Sequence, residues 1–475
     1  MDKVNLSPAH LSPMQVQGDG AQLEAGLATP LGRPAPLRAE RMAAGYKWLV
    51  LFMVVYCARP EDWIPGLAVV PLAKITGFFA LATFGLSVAF TGRGVLRLPR
   101  EMLYLILLLG EMSLAAVFSP VWRGGAVRFV FGEFLKVVLI TIVITLTATS
   151  LLRLRRLLFV QTCSVVVIAL VSIVKSPLVS GRLTGVVGGI YGNPNALAFV
   201  AALAFPFCFL FLLGTPSVIR RLFWTFAMLV IAGAVLLTYS RGGLLALLTA
   251  ACMCVWEFGV KGKRPLLPFL AAIVGLGIIL LATPLGYGER VRTIFKPDED
   301  PTGSAQARRE LLVRSLEITA KHPLLGIGPT CFAQLSGSWH ETHNSYTQMS
   351  SEAGVLALIL FLAILWRSFI NIREAKRHAN GKAMLLLAGG LRASLATFAV
   401  GSFFDSVAYH FFPYFLIGYS SALLQIAREE TISEAEIDPA SSDFSDHQQS
   451  KLNDMMERRD RELGGAHGYR PVPKV

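Results

Sequence analysis

The sequence predicts an all-α protein, a polytopic bundle of about twelve transmembrane helices. Hydrophobic residues make up 54% of its 475 residues and charged residues only 16%, with a mean hydropathy of +0.56. A soluble globular chain carries about 25% charged residues. A chain with this apolar excess cannot cover its surface with polar side chains, so most of that surface must face lipid. Apolar stretches recur along the chain, and positive charges cluster between them.

The apolar stretches define the predicted spans, since a helix needs about 20 residues to cross the hydrocarbon core. By this measure the spans fall at 46–58, 66–90, 101–119, 126–150, 156–175, 195–213, 222–239, 242–259, 266–283, 346–369, 383–402 and 409–426. The first span is short, and the segment 59–63 should form an interfacial turn. Spans one and two could therefore be merged or partly re-entrant, which would make the count eleven.

The Lys and Arg residues of the short loops predict the orientation. With the N-terminus inside, the cytoplasmic loops carry most of these charges: Arg93, Arg97, Arg100, Arg153, Arg155, Arg156, Arg220, Arg221, Lys261, Lys263, Arg264, Arg373, Lys376, Arg377 and Lys382. The opposite loops are poorer in positive charge. This bias predicts a multi-pass membrane protein with both termini in the cytoplasm. It also explains the net charge of +13 without a nucleic-acid partner.

Three parts of the chain follow from this topology. Residues 1–45 are polar and rich in Pro and Gly, so they are expected to form a disordered cytoplasmic leader. Residues 46–426 form the transmembrane domain, and 427–475 a disordered cytoplasmic tail with at most one short helix. One long periplasmic loop, 286–344, lies between spans nine and ten, with an amphipathic helix over Ala305–Ala320. Loops of this length are usually functional.

Arginine on the outer side is the first sign of a functional site. Arg241 lies between two apolar spans so tightly joined that its guanidinium must sit at or below the membrane surface. This placement costs several kcal/mol unless the group is paired or faces water. The planar guanidinium suits phosphate oxygens, and Gly242 and Gly243 would leave room for close backbone approach. A snorkelling interfacial arginine is the alternative. Arg182 follows the same reasoning more weakly, while Arg308 could equally belong to the polar face of a surface helix.

His343 is the candidate base, at the outer end of span ten. An imidazole with its usual pKa of about 6.5 is largely neutral at physiological pH and can accept a proton from a hydroxyl group. If span ten is helical from about residue 344, then Ser345, Gln348 and Glu352 share one face. Such a polar stripe requires an interior or water-filled surrounding. His340 is the competing base, but it lies farther from the span.

Other polar residues near the membrane have weaker support. Asp405 and His410 lie near the same surface and could contribute to the site, whereas Glu111 and Glu133 could be proton carriers of a transporter or packing residues. No metal site is predicted, because the outer loops lack a familiar ligand motif beside the two histidines.

These residues together resemble the O-antigen ligase and polymerase family of bacterial membrane glycosyltransferases. The resemblance covers about 181–364 and is carried by Arg182 with Gly-Asn-Pro-Asn at 192–195, Tyr-Ser-Arg-Gly-Gly at 239–243, His-Pro-Leu-Leu-Gly-Ile-Gly at 322–328 and His-Asn-Ser-Tyr at 343–346. None of these motifs is diagnostic alone. Their order, with one large outer loop between the second and the last, is fairly specific.

The resemblance implies an architecture like that of C-type glycosyltransferases, with an outer cavity for an undecaprenyl-pyrophosphate-linked glycan. His343 would activate the acceptor hydroxyl. The residues that would bind the pyrophosphate or glycan are Arg241, Arg182, Asn195, Glu352 and Arg308. Transfer would invert the anomeric carbon, need no metal or other cofactor, and use a lipid core, a protein or a growing glycan as acceptor.

Several functions stay open at this level. A ligase and a polymerase would share the donor site and differ in the acceptor. A transporter or flippase of lipid-linked oligosaccharide is the alternative class, and it would place functional charges near the bilayer midplane. A non-catalytic scaffold would leave the outer arginines unexplained.

Overall fold

The structure is a computed structural model that describes residues 43–91, 98–176, 178–179, 181–185, 191–262, 303–336, 340–379, 381–432, 455–456 and 458. This part of the chain is almost entirely helical. The one sheet of these residues consists of two antiparallel strands of two residues each, β1 (Leu178–Val179) and β2 (Arg182–Leu183). Predicted span nine lies outside the described residues, as do residues 1–42 of the leader and most of the tail.

The helices of the described residues are numbered in chain order. They are α1 (Ala43–Ala58), α2 (Pro60–Trp63), α3 (Leu72–Thr91), α4 (Arg100–Val117), α5 (Arg123–Phe129), α6 (Leu135–Thr147), α7 (Leu151–Lys175), α8 (Pro194–Leu213), α9 (Val218–Leu237), α10 (Arg241–Cys254), α11 (Ser304–Lys321), α12 (Phe332–Leu335), α13 (Ser345–Arg377), α14 (Lys382–Gly401) and α15 (411–432). π-Helical turns join α5 to α6 (Val130–Phe134) and extend α10 (Val255–Val260).

Eight helical stretches within the described residues are long and apolar enough to cross a membrane. They correspond to predicted spans two, four to eight, ten and eleven, so the predicted count of twelve is confirmed only in part. Span one lies in a helix of 16 residues. Span three lies in α4, which contains Arg100, Glu101 and Glu111. Span twelve lies in α15.

The outer surface of these helices supports a multi-pass membrane protein. Large apolar side chains such as Phe78, Phe90 and Ile219 are 66%, 81% and 79% exposed. Exposing such side chains to water is unfavourable, whereas lipid accommodates them. The interior is organised around α8, of whose most apolar stretch 78% is buried, compared with 11% for α3.

Two predicted boundaries differ from the structure. Spans one and two are separate helices, because Arg59 adopts a left-handed conformation (φ 44°) and pairs with Asp62 in the one-turn helix α2. Span two consequently begins at Leu72 rather than 66. The predicted tail begins at 427, but α15 continues to 432. Within this last turn, Arg428 pairs with Glu374 of α13 at 2.7 Å.

Predicted span ten is not one continuous helix, because α13 is interrupted at Gly354 (φ 92°, ψ 170°). The Gly-rich turn 323–328 docks into this interruption. The amide of Val355 donates to the carbonyl of Pro323 (2.8 Å), and the amide of Gly328 donates to the carbonyl of Glu352 (2.9 Å). The turn 323–328 is therefore hydrogen-bonded to the helix that follows His343.

Candidate functional site

The first part of the candidate site is a clamp around Arg182. Its Nε donates to the carbonyl of Thr238 (2.9 Å), and its Nη2 donates to Oδ1 of Asn195 (3.0 Å). Asn195 is held at the start of α8, where the side chain of Asn193 caps the helix and accepts from the Asn195 amide (2.8 Å). The structure thus joins Arg182 and Asn195, which the sequence places on the same outer loop.

Thr238 leads directly into the segment that carries Arg241. Tyr239 has a left-handed backbone (φ 51°), which turns the chain sharply between α9 and α10. Ser240 then caps α10, because its hydroxyl accepts from the amide of Gly243 (3.1 Å). Arg241 is the first residue of α10 and is half-buried. Its positive charge therefore adds to the positive end of the helix dipole.

The two glycines after Arg241 have a different role from the predicted one. A Cβ added to Gly242 would lie 2.7 Å from Cβ of Phe404, and one added to Gly243 would lie 2.4 Å from Cβ of Ala198. The close approach that these glycines permit is therefore made by other parts of the protein, not by a ligand. It brings the start of α10 against the segment after α14.

His343 immediately precedes the cap of α13. It has a left-handed backbone (φ 50°), and the side chain of the next residue, Asn344, accepts from the amides of Tyr346 (2.9 Å) and Thr347 (3.1 Å). The predicted start of the helix near 344 is confirmed. The polar stripe of Ser345, Gln348 and Glu352 is buried inside the protein, one of the two surroundings that the sequence predicts for it.

The segment 402–407 is fastened to this helix start. The hydroxyl of Ser345 donates to the carbonyl of Asp405 (2.7 Å) and accepts from the amide of Val407 (2.9 Å). These bonds bring the carboxylate of Asp405 to His343, with 4.0 Å between Oδ1 and Nδ1. Nδ1 is buried and makes no hydrogen bond in the part of the chain that the structure describes.

Burial and nearby positive charge keep His343 neutral. Burial lowers the pKa of His343 to about 4, and the positive charge of Arg308 and the neighbouring His340 contribute in the same direction. Burial raises the pKa of Asp405 to about 6, although the Ser406 amide and Arg308 partly offset this. At neutral pH the site therefore contains a neutral imidazole beside a largely ionised carboxylate.

Glu341 adds a second carboxyl group to the site. Its side chain is partly accessible to water, but neighbouring protein atoms crowd its carboxyl group. This crowding, together with the charge of Asp405, raises its pKa to about 7, while a hydrogen bond from Ser406 acts in the opposite direction. The sequence gives no signal that Glu341 belongs to the site, because its neighbours Asp405 and Ser406 lie about sixty residues farther along the chain.

Arg308 and Glu352 have contrasting places. Arg308, half-buried on α11, lies close enough to influence both His343 and Asp405 electrostatically. Glu352 is only 3% exposed, and its Oε1 accepts from the amide of Phe332 (3.0 Å), which fastens α12 to α13. Its contact in the structure is thus with the protein itself, and a role in substrate binding stays a prediction.

The contacts form a continuous path across one end of the bundle. Arg182 bonds the residue before the Tyr239–Gly243 turn, the turn packs on Phe404, and the next residue, Asp405, faces His343. Among the described residues, no group of three or more His, Cys, Asp or Glu side chains is placed to hold a metal ion.

Comparison with known proteins agrees with the resemblance found in the sequence. A family model described as O-antigen ligase matches residues 226–362. This segment contains Arg241, Arg308, His343 and Glu352, whereas Arg182 and Asn195 precede it and Asp405 follows it. No curated protein matches the chain.

Proposed function

We propose that the chain transfers a glycan from an undecaprenyl-pyrophosphate donor to an acceptor. The segment 226–362, which matches the O-antigen ligase family model, supports a glycosyltransferase type of activity. The reaction takes place at the periplasmic face of the bacterial inner membrane, inverts the anomeric carbon and needs no metal ion. Ligase and polymerase reactions share this chemistry. The observation that carries the proposal is the path of contacts from Arg182 through the start of α10 to the His343–Asp405 pair.

The donor pyrophosphate binds at the start of α10. Arg241 supplies a cation there, and the helix dipole adds partial positive charge at the same end. Arg182 is held beside it by Thr238 and Asn195, so its charge is fixed before the donor arrives. Arg308 supplies a third cation near His343. Fixed charges of this kind stabilise the negative charge that develops on the leaving pyrophosphate.

His343 acts as the base in a single displacement. The acceptor hydroxyl oxygen attacks the anomeric carbon as Nε2 of His343 takes the hydroxyl proton. The bond between that carbon and the pyrophosphate oxygen breaks, and its electron pair leaves with undecaprenyl pyrophosphate. Asp405 lies near Nδ1 and stabilises the imidazolium that forms.

The donor itself prepares the base for this step. A pKa of about 4 makes the imidazole a weak base in the free protein. An arriving pyrophosphate brings negative charge close to Arg308 and His343, and a nearby negative charge raises the pKa of an imidazole. His343 therefore becomes a stronger base when the donor is bound.

Two substitutions test the function in membrane vesicles supplied with purified lipid-linked donor. His343→Ala and Arg241→Ala are each expected to lower transfer at least about 100-fold, as expected for loss of a general base or a charge-stabilising group. His378→Ala and Arg220→Ala, the same changes outside the site, are the matched controls. Full transfer by both site variants would refute the assignment of these residues to catalysis. If the variants instead lost movement of lipid-linked saccharide across the membrane, a transporter would be favoured.

Chelation tests the metal-independent part separately. Transfer by the wild-type protein should be unchanged after treatment with EDTA, because the arginines supply the positive charge at the pyrophosphate. A strict requirement for Mg²⁺ or Mn²⁺ would contradict this part of the proposal.

A further inference from the structure

Helix α11 has two different faces. One face is buried through Leu311, Ser315 and Ile318, and the hydroxyls of Thr319 and Ser350 lie 2.9 Å apart across the contact with α13. A second face is exposed and mostly charged. Its residues are 309, 310, 313, 314, 317 and 321, and this three-to-four-residue spacing places them in one row along the helix.

The charged face of α11 lines an open pocket of about 670 Å³. Ile327 from the turn 323–328 and Leu335 from α12 complete the wall. Arg314 braces it, since its Nη1 donates to the carbonyl of Ser336 (2.7 Å). The volume lies within the range of about 300–1,000 Å³ that small-molecule pockets occupy.

Four charged groups of this pocket take no part in holding the fold. The side chains of Arg309, Glu310, Glu317 and Lys321 are exposed. Within the described ranges, none of the four has an ion-pair or hydrogen-bond partner. Their donors and acceptors thus remain available to a ligand in a concave surface.

We propose that this pocket binds a sugar residue of the acceptor glycan, an inference that rests on the proposed transferase function. Carboxylates such as Glu310 and Glu317 accept hydrogen bonds from sugar hydroxyls, and Arg309 and Lys321 donate to their oxygens. The lining also contains His322 and the apolar side chains of Val313, Ile318, Ile327 and Leu335. The apolar side chains suit the C–H face of a sugar ring.

The pocket carries charges of both signs, which suits the hydroxyl groups of a neutral saccharide. Three cations, Arg309, Arg314 and Lys321, alternate with two carboxylates, Glu310 and Glu317. A phosphate or an anionic lipid headgroup could pair with these cations only while its negative charge also lay against the carboxylates, and like charges in contact are unfavourable. A ring of hydroxyl groups can satisfy donors and acceptors alike.

The pocket adjoins the predicted reaction centre. Arg308 precedes Arg309 on α11, and its charge reaches His343. On the other side, the hydroxyl of Ser336 accepts from the amide of His340 (3.2 Å). Both contacts link the walls of the pocket to the segment that carries His343.

Direct binding of simple sugars tests the pocket without requiring transfer. The full-length protein in lipid nanodiscs is titrated with methyl β-glucoside and methyl β-galactoside, and binding is followed by saturation-transfer difference NMR. The wild-type protein should bind at least one of these glycosides. The double variant E310Q/E317Q should bind it at least fivefold more weakly, since the amides preserve shape but remove the charged acceptors. His343→Ala should retain wild-type binding.

The matched control is E133Q/E374Q, the same change at two glutamates away from the pocket, which should bind as the wild type does. Equal binding by the wild type and E310Q/E317Q, or no binding by the wild type, would overturn the pocket assignment. So would binding of inorganic phosphate or phosphatidylglycerol vesicles, in place of glycosides, that E310Q/E317Q strengthens. Full transfer by His343→Ala would instead refute the proposed function, so the two failures are distinguishable.

Discussion

Replacing Gly354 with alanine tests how the interruption of α13 is held. The backbone at this position (φ 92°, ψ 170°) lies in a region that is essentially restricted to glycine. An added Cβ would also lie 1.9 Å from the carbonyl oxygen of Leu324. The turn 323–328 would have to withdraw from α13 to make room.

The expected loss of stability has two parts. Backbone strain at such a position costs about 1–3 kcal/mol. Withdrawal of the turn would also break three backbone hydrogen bonds, of 2.8, 3.0 and 2.9 Å, which the amides of Val355, Ile327 and Gly328 donate. Each contributes about 0.5–1.5 kcal/mol, so the total loss is about 2.5–7.5 kcal/mol.

Thermal unfolding in nanodiscs, followed by tryptophan fluorescence, measures this loss. Gly354→Ala should unfold at a clearly lower temperature and lose transfer activity, because the interruption separates the first turns of α13 from the rest of the helix. Gly110→Ala is the control, since an added Cβ there has no atom within 4 Å. It should be neutral or stabilising by up to about 1 kcal/mol. A wild-type unfolding temperature and activity for Gly354→Ala would refute the reasoning.

Three further predictions concern the site. NMR of histidine-labelled protein should show His343 uncharged from about pH 5 to 8, because its pKa lies near 4. Arg308→Gln should raise that pKa, since it removes a nearby positive charge. A titration midpoint of about 6.5 in the wild-type protein would contradict this prediction. Arg182→Lys keeps the charge but not both hydrogen bonds, so transfer should fall about tenfold or more, and unchanged transfer would show that charge alone suffices. Asn344→Ala removes a helix cap and should cost about 0.5–2 kcal/mol of unfolding free energy in a thermal scan, with Asn344→Asp as the near-neutral control.

The titration of His343 also affects stability. Its pKa in the folded protein lies below the usual value of about 6.5. The unfolded chain therefore binds this proton more readily, and the contribution of neutral His343 to stability is lost as the pH falls from about 6.5 towards 4. The raised pKa values of Asp405 and Glu341 act in the opposite sense, so comparison with His343→Gln isolates the histidine.

Local patterns account for what could be predicted about the fold. Apolar runs and short loops identify the spans that the structure contains, because a lipid-facing helix needs little beyond length and composition. The start of α13 follows from Asn344, a good capping residue before an apolar helix. The amphipathic helix predicted over Ala305–Ala320 is α11, found at Ser304–Lys321.

Features that depend on contacts between distant residues could not be predicted from local patterns. The separation of spans one and two depends on the Arg59–Asp62 pair, and the span count on helices such as α4 that carry charge within the bundle. Gly242 and Gly243 look like a place for a ligand, but their surroundings are filled by Phe404 and Ala198. Nothing local distinguishes these alternatives.

The sequence by itself determined that the chain crosses a membrane repeatedly and that arginines and a histidine accompany the ends of particular spans. These features are encoded in runs of neighbouring residues. Tertiary structure alone decided that Asp405 faces His343, that Arg308 reaches the site while Arg309 lines a pocket, and that the turn 323–328 interrupts α13. Each of these depends on contacts between residues distant in the chain, and such contacts are set by how the helices pack rather than by local preference.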